Sequence, residues 1–177
     1  MLTSRNIHFA ILGIILGATT GYIFAFYQVQ SSMPQVGPST QNEKLQAMFK
    51  EALAKNPNDP TLMMRYANYL FDLGRFNEAV EWFQKVVAMQ PNNLDVRTDL
   101  GTALWNAGQK GKAMAEYQSI LKADPKHMAT LHNLVIVHLE ERNSAAADQV
   151  LKQMEEIDPK YEGLEPLKKR LAEIKGK

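Results

Sequence analysis

Pro57, Pro91, Pro125 and Pro159 lie 34 residues apart, and this period constrains the fold more than any other feature of the chain. Other columns keep the same register. A small residue recurs at Ala79, Ala113 and Ala147, a large apolar one at Phe83, Tyr117 and Leu151, and another apolar one at Val86, Ile120 and Met154. Earlier in each unit come Tyr66, Leu100 and Leu134, then Ala67, Gly101 and Val135, then Leu70, Leu104 and His138. Several columns in one register mark a stack of like supersecondary units, none able to bury its apolar face alone.

Each unit holds two stretches of helical periodicity, as in TLMMRYANYLFDLG followed by FNEAVEWFQKVVAMQP. Gly74 and Gly108 fall at the turn between them, where left-handed backbone is often needed. The alanine column is expected where the two helices cross closest, with no space for a branched side chain. Proline cannot continue a helix, so its column ends the second helix and directs the chain into the next unit. Residues 56–60 and 91–93 read as caps and turns between units. The third unit departs from the pattern. Val135 replaces a small residue, His138 an apolar one, and Arg142-Asn143-Ser144 the glycine turn, with Asn143 suited to the left-handed shape. Looser packing is expected there.

These residue types at this spacing resemble the tetratricopeptide repeat (TPR) family, with full repeats at 60–93, 94–127 and 128–161. Residues 41–59 match only the second helix of a repeat, through Leu45, Phe49, Ala52 and Pro57, and 162–177 read as a C-terminal capping helix. The resemblance implies an all-α helix-turn-helix solenoid over 41–177. It also implies a concave groove, lined by the first helix of each repeat, that holds a protein or peptide segment. By repeat register the groove-facing residues are Met64, Asn68 and Phe71, then Asp95, Thr98, Thr102 and Trp105, then His132, Ile136 and Leu139. Phe71, Trp105 and Leu139 form a column of large apolar side chains, suited either to anchoring a partner or to filling the space between neighbouring helices. The family's carboxylate clamp is not matched. Asn68 is in place, but Met64 stands for the lysine, and Asp95, Thr98 and Asp99 occupy the later positions. An acidic, aromatic-containing groove suits a segment with apolar side chains and a basic residue or two.

Ahead of the repeats, residues 7–27 (IHFAILGIILGATTGYIFAFY) are apolar and end in aromatics suited to a membrane interface. As a helix they reach about 31 Å, enough to span the hydrocarbon core and longer than a secretory signal's apolar region. An N-terminal transmembrane helix is therefore expected, after a short tail at 1–6 and before a flexible linker at 28–40. Arg5 precedes the span and no basic residue follows it before Lys44. The positive-inside rule then gives a single-pass inner-membrane protein with its repeats in the periplasm. An anchored repeat domain of this size resembles assembly factors of the cell envelope, including those of c-type cytochrome maturation. Gly13, Gly17, Gly21 and Ala25 form a ridge of small residues along the span. Such a ridge lets membrane helices approach closely, so a homodimer paired through it is the alternative to a groove-binding scaffold.

Lys+Arg number 20 and Asp+Glu 19, a balance that offers no field for nucleic acid. Cysteine is absent, which excludes disulfides, thiolate nucleophiles and covalent haem attachment. No phosphate loop, nucleophile elbow or metal-binding histidine spacing occurs, so the sequence points to no catalytic residue, metal or cofactor.

Overall fold

A computed structural model of the chain describes residues 38–176. The expected transmembrane helix at 7–27, the ridge of Gly13, Gly17, Gly21 and Ala25, and most of the expected linker lie outside these residues. Among the described residues no helix is long and apolar enough to cross a membrane. Eight helices are described: α1 Pro38–Lys55, α2 Pro60–Asp72, α3 Phe76–Met89, α4 Leu94–Asn106, α5 Lys110–Ala123, α6 Met128–Glu140, α7 Ser144–Ile157 and α8 Leu164–Lys175. Helix α1 starts at Pro38, three residues inside the segment expected to be linker, because proline at a helix start loses no hydrogen bond it could have made. The chain divides into two units, Met1–Met48 and Phe49–Lys177. Of the first, only residues 38–48 of α1 are described; all that follows concerns the second.

Three helical hairpins, α2–α3, α4–α5 and α6–α7, follow one another, and α8 closes against α7 and α6. Each hairpin packs its second helix on the first helix of the next, and α4 also lies beside α6. The reason is steric. Ala79, Ala113 and Ala147 are fully buried where the two helices of a hairpin meet, and a larger side chain there would push them apart. The helices before the prolines end at Lys55, Met89, Ala123 and Ile157, two residues ahead of Pro57, Pro91, Pro125 and Pro159. The next first helix is capped by the residue at a fixed offset. Asp59 accepts from the amides of Thr61 and Leu62, Asn93 from Val96, and His127 through Nδ1 from Thr130.

The turns inside the hairpins share one geometry. The amides of Arg75, Gln109 and Asn143 donate to the carbonyls of Leu70, Leu104 and His138, closing each first helix with a Schellman-type bond. The residue before each donor is left-handed: Gly74 at φ 72°, Gly108 at 75° and Arg142 at 55°. The third turn thus corrects the expectation that Asn143 takes this shape. The repeat register places the strain on Arg142, and Asn143 instead caps α7 by accepting from the amide of Ala146.

One altered pair of the third repeat nevertheless stays buried. Gly101 leaves space for the ring of Tyr117, whose Cε1 would lie 2.5 Å from a Cβ added there. At the equivalent positions of the third repeat a larger Val135 accompanies a smaller Leu151, and both are buried. The volumes compensate. Where Leu70 and Leu104 are buried, His138 is only half-buried, and burial lowers its pKa below the ordinary histidine value.

The same substitution should act with opposite sign at two helical glycines. Gly111 has nothing within 4 Å of an added Cβ, so Gly111→Ala should stabilise the protein by about 0.5 kcal/mol through helix propensity. Gly101→Ala should destabilise it by about 1–3 kcal/mol by overpacking against the buried Tyr117 ring. Urea denaturation of the full chain in mild detergent, followed by circular dichroism, measures both; equal shifts would contradict the packing account.

Candidate functional site

Helices α4 and α6 run side by side because each is the first helix of its hairpin, and a polar seam joins them. The Thr98 hydroxyl donates to the Leu94 carbonyl at 2.8 Å and meets Thr130 Oγ1 at 2.7 Å. Both threonines are buried, so these bonds remove what would otherwise be uncompensated polar burial. Thr130 Oγ1 lies 2.9 Å from His127 Nδ1, and His127 Nε2 lies 3.3 Å from Asp95 Oδ1. Because the His127 Nδ1 lone pair receives the Thr130 amide, the ring proton is assigned to Nε2, facing the carboxylate. One turn along, the Asn133 amide donates to Thr102 Oγ1 at 3.0 Å, and Thr102 Oγ1 lies 3.0 Å from the Tyr117 hydroxyl.

Thr130, His127 and Asp95 have the residue types of a nucleophile–base–carboxylate triad. The geometry denies them that role. Thr130 is 0% exposed, so no substrate carbonyl reaches its hydroxyl, and His127 serves as the cap of α6. Among the described residues no group of three His, Asp or Glu side chains is placed to hold a metal ion.

Beside the seam opens a cavity of about 210 Å³ lined by Asp95, Thr98 and Asp99 of α4, by Ala129, His132 and Asn133 of α6, and by Tyr161. Tyr161 lies edge-on to His132, ring centroids 5.8 Å apart, and its hydroxyl is 3.2 Å from His132 Nδ1. Gly163 permits this seat, since an added Cβ would meet Tyr161 Cε1 at 2.5 Å and His132 Nδ1 at 2.7 Å. Burial, and then the neighbouring charge of Asp95, push the Asp99 carboxyl up to about 6. Burial also pushes the Tyr117 phenol up to about 12, against the opposing Thr102 hydrogen bond, and lowers the His132 pKa. At neutral pH the cavity therefore holds an ionised Asp99 beside an uncharged imidazole.

Of the residues expected in a groove, Asp95, Thr98 and His132 line this cavity, and Thr102 adjoins it through Asn133. Thr98 contributes a wall rather than a contact, being buried with its hydroxyl committed. Met64, Phe71 and Ile136 are half-buried against the two apolar cores, Phe71 edge-on to Phe76, while Asn68 is exposed on α2. None of these four lines the cavity. The apolar column resolves toward packing at two of its members. Trp105 is 9% and Leu139 2% exposed, because the next hairpin or the capping helix covers that side of each first helix. The Trp105 indole N–H donates to Glu140 Oε2 at 2.7 Å, and the Lys110 ammonium lies over its ring at 4.6 Å.

Asp99, Asn133 and Tyr161 were not read as site residues from the sequence. Asp99 is one helical turn beyond Asp95, which was a usable signal. Tyr161 stands in the column of Asp59, Asn93 and His127, but it caps nothing. Gly163 takes the cap position of α8, and the tyrosine turns into the cavity instead.

Two family models described as tetratricopeptide repeat match the chain, one over residues 46–93 and one over 70–135, together spanning half of its length. No curated protein sequence matches. Solved structures similar to the chain include a tetratricopeptide repeat protein from Parabacteroides merdae, with a TM-score of 0.62 at 18% identity, covering 78% of this chain and 55% of that one. This chain thus spans little more than half the length of that relative. YrrB, described as a TPR protein with an unusual peptide-binding site, aligns with a TM-score of 0.62 at 21% identity, covering 74% of this chain and 68% of that one. MamA aligns with a TM-score of 0.58 at 16% identity over 77% of this chain and 85% of its own. At these identities the structures speak to fold alone, and the fold they share is a solenoid of helical hairpins. Together with the 34-residue register and the matching family models, it identifies the chain as a member of the tetratricopeptide repeat family.

Proposed function

We propose that the chain is a protein-interaction scaffold that receives a partner segment along the face of α4 and α6, at the cavity containing Asp99. The repeat fold is of a kind that generally binds proteins rather than transforming substrates. The observation that carries the location is Asp99. Its carboxylate is half-buried, has no hydrogen-bond or ion-pair partner among the described residues, and lies near a second carboxylate. Folding gains nothing from such a group, whereas a docked segment supplies what it lacks. YrrB, of similar fold, is described as having a peptide-binding site, which supports the same class of ligand here.

The apolar run at 7–27 supports a membrane tether, and Arg5 ahead of it supports repeats facing the periplasm. In this reading the protein is an envelope assembly factor whose groove stays near the bilayer. The small-residue ridge from Gly13 to Ala25 supports pairing of two anchors as a second reading.

A photocrosslinker replacing His132 in cells should trap one discrete partner, whereas the same group at Gln118, exposed on α5, should not. Equal adducts from both positions would sink the proposed face. Asp99 also predicts a pH dependence. Its folded pKa of about 6 exceeds the ordinary 3.8, so its contribution favours folding below pH 4 and is lost as pH rises through 6. Asp99→Asn should remove that fall and gain about 1 kcal/mol at pH 7.5, a figure reduced for partial solvent access. Denaturation midpoints at pH 4 and 7.5 test this; a variant no more stable than the parent at pH 7.5 would refute the unpaired-charge account.

A further inference from the structure

We infer that the cavity between α4 and α6 takes the cationic end of an arginine or lysine side chain from the segment the repeats hold. The inference rests on the partner-holding reading and adds the chemistry of the contact. Two of the polar side chains in the lining donate within the fold. The Thr98 hydroxyl donates to the Leu94 carbonyl, and the Asn133 amide donates to Thr102, leaving its carbonyl oxygen as an acceptor. The Tyr161 hydroxyl and His132 Nδ1 bond to each other. The charge the cavity presents to an occupant is negative, from the Asp99 carboxylate and the largely exposed carboxylate of Asp95, and the Asn133 carbonyl adds a further acceptor.

No lysine or arginine is among the lining residues. The complement of such a surface is a group with several donors and a positive charge. A guanidinium fits best, since its planar fork bonds a carboxylate in bidentate fashion and its face lies against aromatic rings. His132 and Tyr161 supply such rings at one end. The cavity, at about 210 Å³, holds several times the roughly 30 Å³ share of one water in the liquid. A bare divalent ion is a poorer match, because calcium needs six to eight oxygens and the lining presents two carboxylates and one amide carbonyl. A second cleft, between α7 and α8, contrasts with it. There Asp148 is paired with Lys152 and Lys175, and Glu155 with Lys168, so its charges are internally satisfied.

The test uses the full chain in mild detergent, with aspartate carboxyl carbons labelled with ¹³C and the Asp99 signal identified by its loss in Asp99→Asn. The probes are Nα-acetyl-arginine amide, the uncharged citrulline amide of the same shape, and calcium chloride. The arginine probe should move the Asp99 signal saturably, with at least fivefold weaker binding of citrulline and no saturable shift at exposed Asp72. Equal responses to arginine and citrulline, equal shifts at Asp72 and Asp99, or saturation by calcium instead would overturn the inference. Failure here with the crosslink at residue 132 intact removes the basic side chain but leaves the partner-holding face. Loss of that crosslink with the arginine response intact removes the held segment, and with it the occupant inferred here.

Discussion

The arrangement depends on the closest approach of two helices. At Ala79, Ala113 and Ala147 the two helices of each hairpin meet around a fully buried methyl group. Close approach lets each hairpin present one continuous apolar side to the next, and the stack then buries what a single hairpin would leave wet. Everything useful about the α4–α6 face follows. Two first helices lie side by side because the second helices behind them are spaced by the alanine contacts.

That spacing converts local sequence differences into chemistry. Four residues share the column that begins each first helix, and three of them, Asp59, Asn93 and His127, serve as caps. Replacing the acidic or amide cap with histidine keeps the acceptor at Nδ1 and adds a donor at Nε2, which reaches back to Asp95 on the preceding repeat. The fourth, Tyr161, is released from capping and seats on His132 over Gly163. A structural column thus varies into a site wall. Among the described residues, Asp99 is the charge in this seam without a hydrogen-bond or ion-pair partner, which is why binding is proposed there.

Much of the fold was legible because a repeated column reports one steric demand several times. Small residues at 79, 113 and 147 and prolines at 57, 91, 125 and 159 each admit few explanations. The site was legible only in part. A column such as Phe71, Trp105 and Leu139 tells that a side chain is large and apolar, but not which neighbour covers it; at Trp105 and Leu139 packing within the array buries the side chain. Residue type also misled at the third turn. Asparagine tolerates left-handed backbone better than arginine, yet the register of Gly74 and Gly108 carries the positive φ to Arg142. Asp99 escaped notice because it was weighed only as a failed carboxylate clamp, when its meaning lies in being unpaired.

The central claim is that the face of α4 and α6 holds a partner while the rest of the array supports it. Hydrogen–deuterium exchange of the full chain, with and without the segment trapped at residue 132, tests this most directly. The account predicts added protection in residues 94–106 and 128–140 and around Tyr161, with α5 and α7 unchanged. Protection confined to α5 and α7, or none within α4 and α6, would contradict it.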